Sequence, residues 1–198
     1  MKKLFTLLCS SLALIGFSYV LLFIISSIYS PKADHVPLLN DDRVISPEIE
    51  HYRPLFQKYA RDYNMEQYTD LLMAMAMQES KGKTPDIMQA SESIGLPKDT
   101  INNPKTSIRA GTRYFKKAIE KSEGDVHLAV QSYNFGTGFI DYVNRHGGHF
   151  NHTLARAFSR RKARELGWDS YGDPKYVDHV MRYYDNEKQK RALAKIKN

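Results

Sequence analysis

Cysteine is nearly missing from this chain: among 198 residues Cys9 is the single example, and it falls inside an apolar N-terminal run. Whatever follows that run has no disulfide and is held by its core alone, which suits a bacterial envelope protein better than a small secreted animal domain. No Ser-His-Asp or Cys-His set stands out, which argues against a nucleophile-based peptidase. Internal repeats and low-complexity segments are lacking, and no stretch reads as a long strand. One mainly helical, all-α domain of ordinary size is therefore expected. Negative charge is the minority sign: 29 Lys and Arg against 22 Asp and Glu leave a formal +7.

Charge of either sign is absent from Leu4 to Ile28, directly after Lys2 and Lys3. About 20 apolar residues cross a hydrocarbon core, so this run is long enough for a transmembrane helix with some tilt. It exceeds the apolar region of a cleaved signal peptide, although Ser26-Ser27-Ile28-Tyr29-Ser30 supplies the small residues that cleavage would use. An uncleaved signal anchor is the favoured reading. The two lysines then place residues 1–3 in the cytoplasm and everything beyond Ile28 outside the cell membrane, facing the wall. Residues 29–45, with Pro, Asp and Asn and no apolar period, read as a linker. Residues 46–190 follow as the folded domain and 191–198 as a basic tail. For an exported domain a basic balance points to anionic wall polymers or lipid headgroups, not nucleic acid.

The most informative stretch is Leu71-Leu72-Met73-Ala74-Met75-Ala76-Met77-Gln78-Glu79-Ser80. Strong helix formers run without a break and hand over to one carboxylate. A helix apolar on every side belongs in the centre of a domain. Glu79 is then expected where a buried helix reaches a cleft wall, with lost hydration and the helix dipole both raising its pKa. An ordinary solvated helix end is the competing reading. A carboxylic acid that keeps its proton near neutrality can act as a general acid.

Around it, Ser46-Pro47, Asn103-Pro104 and Asp173-Pro174 mark helix starts. The first helix carries Ile49, Tyr52, Phe56, Tyr59 and Ala60 and ends near Asn64. Thr69 or Asp70 caps the central helix, and Asp86 to Pro97 is irregular or short-stranded. Gly111 on the apolar stripe of the Pro104 helix suggests close approach of another backbone. Asp125 opens a helix to Tyr133-Asn134 that Phe135-Gly136-Thr137-Gly138 breaks, and a basic helix spans roughly Thr153 to Leu166. The last helix aligns Val177, Val180, Met181 and Tyr184.

Gln78-Glu79-Ser80, Met88-Gln89, Asn103-Pro104 with Gly111 and Tyr114, and Ser132-Tyr133-Asn134-Phe135-Gly136 occur in one order. Together they resemble the lysozyme-like fold of bacterial peptidoglycan hydrolases, which includes lytic transglycosylases and goose-type lysozymes. Asp86-Ile87-Met88-Gln89-Ala90-Ser91-Glu92-Ser93 and Tyr171-Gly172-Asp173-Pro174 are similar to its Gram-positive branch. That branch includes pneumococcal vaccine antigen A and the lysozyme domain of bifunctional wall hydrolases on conjugative elements. The resemblance covers about Ile49 to Tyr184. It implies cleavage of glycan strands between N-acetylmuramic acid and N-acetylglucosamine, as lytic transglycosylase or muramidase, with Glu79 as the catalytic acid. Ser80, Asp86, Gln89, Tyr133 and Asn134 fall on its substrate-binding positions, Tyr133 and Asn134 on the motif that orients Glu79 and the sugar. No cofactor and no metal is implied.

Alternatives stand beside these roles. Tyr133 also reads as a core residue with a satisfied hydroxyl, and Asn134 as a helix C-cap before Gly136. Two positions depart from the family pattern: Asp86 replaces the glycine of its Gly-Leu-Met-Gln turn, and Ser132 an alanine. Asp86 and Glu92 are the nearby candidates for the second carboxylate that hydrolysing glycosidases use, and each also reads as a turn-structuring residue. His146, His149 and His152 resemble a metal cluster only superficially, beside Gly147-Gly148. The Arg156 to Arg164 run is a solvated face or a contact for teichoic acid or lipid phosphates. Division or wall-synthesis proteins are candidate partners, and a catalytically weak glycan-binding scaffold of that machinery is the alternative function.

Overall fold

The computed structural model describes residues 44–196. The membrane helix expected at Leu4–Ile28, and nearly all of the linker, lie outside the described residues. Among the described helices none is long and apolar enough to cross a membrane. Among the described residues eight α-helices follow in order: α1 Pro47–Glu50, α2 Arg53–Asp62, α3 Thr69–Glu79, α4 Pro104–Lys121, α5 Val126–Phe135, α6 Gly138–Asn144, α7 His152–Leu166 and α8 Tyr176–Ile196. No strand occurs among the described residues, and short 3-10 turns sit at Glu66–Tyr68 and Glu92–Ile94.

Local chemistry sets most of these boundaries. Ser46 caps α1 by accepting from the Ile49 N–H, Asn103 caps α4 by accepting from Lys105 and Thr106, and Asp125 caps α5 by accepting from Leu128. Each side-chain oxygen satisfies a first-turn N–H that no carbonyl can reach. The single first helix expected from Pro47 to Asn64 is instead two, with a turn at His51 and Tyr52. Pro54 explains the division, because it lacks an N–H and is tolerated only in a first turn. Neither Thr69 nor Asp70 caps α3. Thr69 is already its first residue and donates to the Glu66 carbonyl of the preceding 3-10 turn, while Asp70 pairs with Arg53 at 2.8 Å. Residues 191–196, expected as a separate basic tail, continue α8.

Seven consecutive residues of α3, Leu71 to Met77, are buried. α8, α2 and α1 pack against this rod, while α4 packs on α2 and α5, and α5 on α8. On α8 the buried residues are Tyr176, Val177, Val180 and Tyr183, so the inward face lies about one position N-terminal to the expected stripe. A second cluster of Leu128, Phe135, Phe139, Ile140, Val143 and Phe158 joins α5, α6 and α7.

Gly111 is indeed a point of close approach, but side chains occupy the space. A Cβ added there would stand 2.6 Å from Met88 Sδ, 2.8 Å from Met88 Cβ and 2.8 Å from the Tyr133 hydroxyl. Met88 is fully buried and Tyr133 nearly so, and neither can retreat without emptying its own place. Gly111→Ala is therefore expected to destabilise the domain by about 1–3 kcal/mol despite its better helix propensity. A chemical-denaturation midpoint lowered accordingly would show it.

Candidate active site

Glu79 ends α3 and is partly buried. Its Oε1 accepts from the Tyr176 hydroxyl at 2.5 Å, a contact between residues 97 apart in sequence. Burial is the largest influence on the carboxyl and pushes its pKa up to about 7 from an ordinary 4.5. Donation from Tyr176 favours the ionised form and opposes that rise, the charge of Asp86 adds to it, and the more distant Lys98 counters it. Tyr176 is buried, and desolvation together with the charge on Glu79 holds its phenol well above the usual range. The phenol therefore stays a donor.

The sequence motif points to Tyr133 as the partner of Glu79, and Tyr176 takes that place. Tyr133 donates instead to the Met88 carbonyl at 2.8 Å. It is near enough for the charges of Glu79 and Asp86 to raise its own pKa, after desolvation. Tyr176 carried one signal: it opens the helix after Asp173-Pro174, four and seven residues ahead of Val180 and Tyr183 on the buried face.

The turn before α8 is strapped from several elements. Asn134 Oδ1 accepts from the Asp173 N–H at 2.7 Å, and Gln131 Nε2 donates to the Asp173 carbonyl at 2.7 Å. The Tyr171 hydroxyl donates to the Phe135 carbonyl, Ser159 Oγ donates to the Tyr171 carbonyl, and His179 Nδ1 meets Asp173 Oδ2 at 2.6 Å. Gly172 sits at φ +55, where a Cβ would stand 2.7 Å from both Asn134 Oδ1 and the Phe135 ring. Asn134 thus bears on Glu79 through this turn, which leads into Tyr176.

Asp86 does not face a cavity. It is 2 % exposed. Its Oδ1 accepts from the Ala90 N–H and Ser107 Oγ, and its Oδ2 from the Ser91 N–H and Ser91 Oγ, at 2.6–3.1 Å. Four donors compensate a buried carboxylate and shape the loop around it, leaving no oxygen for a ligand. Ser80 is likewise occupied, donating to the Ile87 carbonyl and accepting from the Gly82 N–H. Gln89, at φ +47, donates to the Asp86 carbonyl at 3.2 Å. Ser132, the other departure, is fully buried and donates back to the Leu128 carbonyl.

A cavity of about 340 Å³ opens beside these elements, lined among others by Gln89, Glu92, Tyr114, Tyr133, Asn134 and Tyr171. Amides and phenols dominate the wall, and Glu92 is its one charged group. Glu79 is not among the lining residues; the electrostatic link between it and the cavity runs through Tyr133. The three histidines are not gathered. His146 stacks on Tyr142 and bonds its carbonyl, while His152 meets Asp178 at 3.4 Å. Among the described residues no cluster of three or more His, Cys, Asp or Glu is placed to hold a metal ion.

A family model described as lysozyme-like matches residues 46–194. The chain is 53 % identical over 139 residues to the bifunctional muramidase/DL-endopeptidase CwlT of Bacillus subtilis. That alignment covers 70 % of this chain and only 42 % of that protein, so the similarity spans less than half of the relative. A pneumococcal vaccine antigen A homolog of Streptococcus pyogenes is 34 % identical over 146 residues, covering 72 % of this chain and 68 % of its own length. A solved structure described as similar to an NLP/P60-family lipoprotein, from Staphylococcus aureus, superposes with a TM-score of 0.66 at 34 % identity. It covers 71 % of this chain and 54 % of that one.

Two outcomes are expected from the surroundings of Glu79. Because the folded carboxyl titrates above its unfolded value, the native state holds a proton between pH 4.5 and about 7 that the unfolded chain has released. Stability from this group is full below pH 4.5 and is lost as pH rises to about 7, by about 3 kcal/mol. Glu79→Gln should remove that loss, so denaturation of the variant and the parent at pH 4.5 and pH 8 should diverge by this amount. Tyr176→Phe removes the opposing donor and should move the ¹³C titration midpoint of the Glu79 carboxyl upward, by about one pH unit.

Proposed function

The chain belongs to the lysozyme-like family, and on that premise we propose that it cleaves the glycan strand of cell-wall peptidoglycan between N-acetylmuramic acid and N-acetylglucosamine, with Glu79 as general acid. The observation that carries this reading is a carboxyl held at about 7 by burial at the end of a core helix, electrostatically coupled to Tyr133 on the wall of a cavity lined mainly by neutral polar groups. Departure of the sugar alkoxide needs a proton, and an acid with this pKa both retains one at neutral pH and gives it up readily. Gln89, Tyr114 and Asn134 line the cavity and can contact hydroxyl and N-acetyl groups without adding charge, while Tyr133 presents its ring to the wall with its hydroxyl already bonded to Met88. The muramidase named among the relatives supports the substrate class.

The absence of Asp86 from the cavity wall bears on the type of reaction. Glycosidases that deliver water to the sugar carbon generally rely on a second carboxylate. Glu92 on the cavity wall is exposed and is the acid available for that duty. A lytic transglycosylase does without one, because the 6-hydroxyl of the muramic acid closes on its own anomeric carbon and the product is an anhydro sugar. The apolar run from Leu4 to Ile28 supports a domain tethered to the outer face of the cell membrane, and the net +7 suits an anionic wall.

Purified wall incubated with the protein should release muropeptides whose mass reports the reaction. Added water marks the muramidase, and anhydro ends mark the transglycosylase. Glu79→Gln keeps the acceptor that Tyr176 uses but has no acidic proton, and should lower release at least about 100-fold. Parental release should decline as pH rises past about 7, where Glu79 ionises. Wall digestion by Glu79→Gln at the parental rate would exclude the mechanism. Glycan retained with no muropeptide released would favour the binding scaffold.

A further inference from the structure

Trp168 is the only tryptophan in the chain and is 59 % exposed, more than any other large apolar residue among the described ones. A loose backbone does not explain this. Gly167 ends α7 at φ 68, and the Trp168 N–H donates to the Ala163 carbonyl at 2.9 Å, closing the helix in the manner of a Schellman turn. The hydrophobic residue after such a turn commonly packs back on its own helix. Here the indole stacks on Tyr171 instead, with ring centroids 6.1 Å apart and planes at 27°.

Tyr171 is itself held by several partners. Its hydroxyl donates to Phe135, its carbonyl accepts from Ser159, and its ring lies against Phe135 and Phe158. It also lines the cavity, together with Asn134 and Gly136. The indole therefore adjoins a residue of the cavity wall, as a flat apolar surface stacked on Tyr171 and exposed to solvent. A pyranose ring offers a complementary surface: its axial C–H groups carry slight positive charge and the indole face slight negative charge. Stacking needs no ionic group and tolerates the hydroxyls at the ring's edge.

We propose that Trp168 is a sugar-stacking platform that lengthens the glycan site beyond Tyr171, binding a saccharide ring outside the cavity. The proposal rests on the reading of the cavity as a glycan site. Leu166 is also exposed and Arg160 and Arg164 lie on the same helix, which makes an anionic lipid surface the rival occupant. Continuity with the cavity through Tyr171 favours the sugar.

A single tryptophan makes its own fluorescence the probe. Titration of the full-length Glu79→Gln chain in detergent with uncrosslinked N-acetylglucosamine–N-acetylmuramic acid strands should give a saturable change in emission. Calorimetry should show Trp168→Ala binding those strands about tenfold more weakly and Trp168→Tyr within about threefold of the parent. In the cleaving protein Trp168→Ala should raise KM about tenfold, with kcat within about twofold. Calorimetric binding with unmoved emission, an unchanged affinity in Trp168→Ala, or an emission change produced by phosphatidylglycerol vesicles and not by glycan would each overturn the platform and leave the catalytic reading intact. A parental chain that neither binds nor cleaves the strands would remove the glycan site, and the platform with it.

Discussion

The bond between Tyr176 and Glu79 is the constraint on which the site depends. It joins the last residue of the central helix to the first residue of the terminal one, 97 positions later, at 2.5 Å. Two opposed effects meet in it. Burial penalises the ionised carboxyl, and the phenol's donation favours it. Burial is the larger, so the acid titrates near neutrality, and the phenol keeps it from rising further. Either helix displaced by an ångström would break this balance, which explains how much of the polar inventory serves to hold the turn before α8. Gln131, Asn134, Ser159 and His179 all bond to residues 171 or 173.

What could be read in the sequence was what local chemistry determines. The caps at Ser46, Asn103 and Asp125, the break at Gly136 and the burial of α3 each follow from a few adjacent residues, and the structure shows all of them. Local patterns mislead where a second rule competes. Pro54 divides the first helix because it lacks an N–H, and the stripe from Ile49 to Ala60, which satisfies the apolar period, conceals the break. The 3-10 turn at Glu66–Tyr68 starts the central helix and leaves Thr69 with no capping duty. The partner of Glu79 belongs to a different category. Nothing near Glu79 in sequence marks Tyr176, since their pairing exists only once α3 and α8 have packed. The motif Ser132-Tyr133-Asn134 points to Tyr133, whose hydroxyl bonds Met88 while its phenol senses the Glu79 charge, and Asn134 bonds the Asp173 turn that leads into Tyr176.

Asp86 shows how one carboxylate can be read as chemistry or as architecture. Its place in the sequence, seven residues after Glu79, suits a second catalytic acid. Its surroundings decide otherwise: four donors converge on a side chain with almost no access to solvent. A glycine at this point would leave the Ala90 and Ser91 N–H groups and the Ser107 hydroxyl to find other partners, whereas the carboxylate gathers all of them and sets the loop that carries Gln89. The negative charge is not idle at a distance either, because it adds to the rise in the Glu79 pKa. One residue thus builds a cavity wall and discourages ionisation of its neighbour without touching it.

That coupling has a cost in stability. Keeping Glu79 away from water disfavours the folded chain above pH 7 by about 3 kcal/mol, a large part of the 5–15 kcal/mol that ordinary domains possess. The fold tolerates it because the same helix contributes seven consecutive buried residues, and each large apolar side chain among them is worth about 1.5–3 kcal/mol when removed from water. A surface helix with one apolar stripe could not offset a desolvated carboxyl at its end. The unbroken run from Leu71 to Met77 and the acid that follows it are therefore one device: the core strength of α3 is what permits an acid at its end to hold its proton near neutral pH.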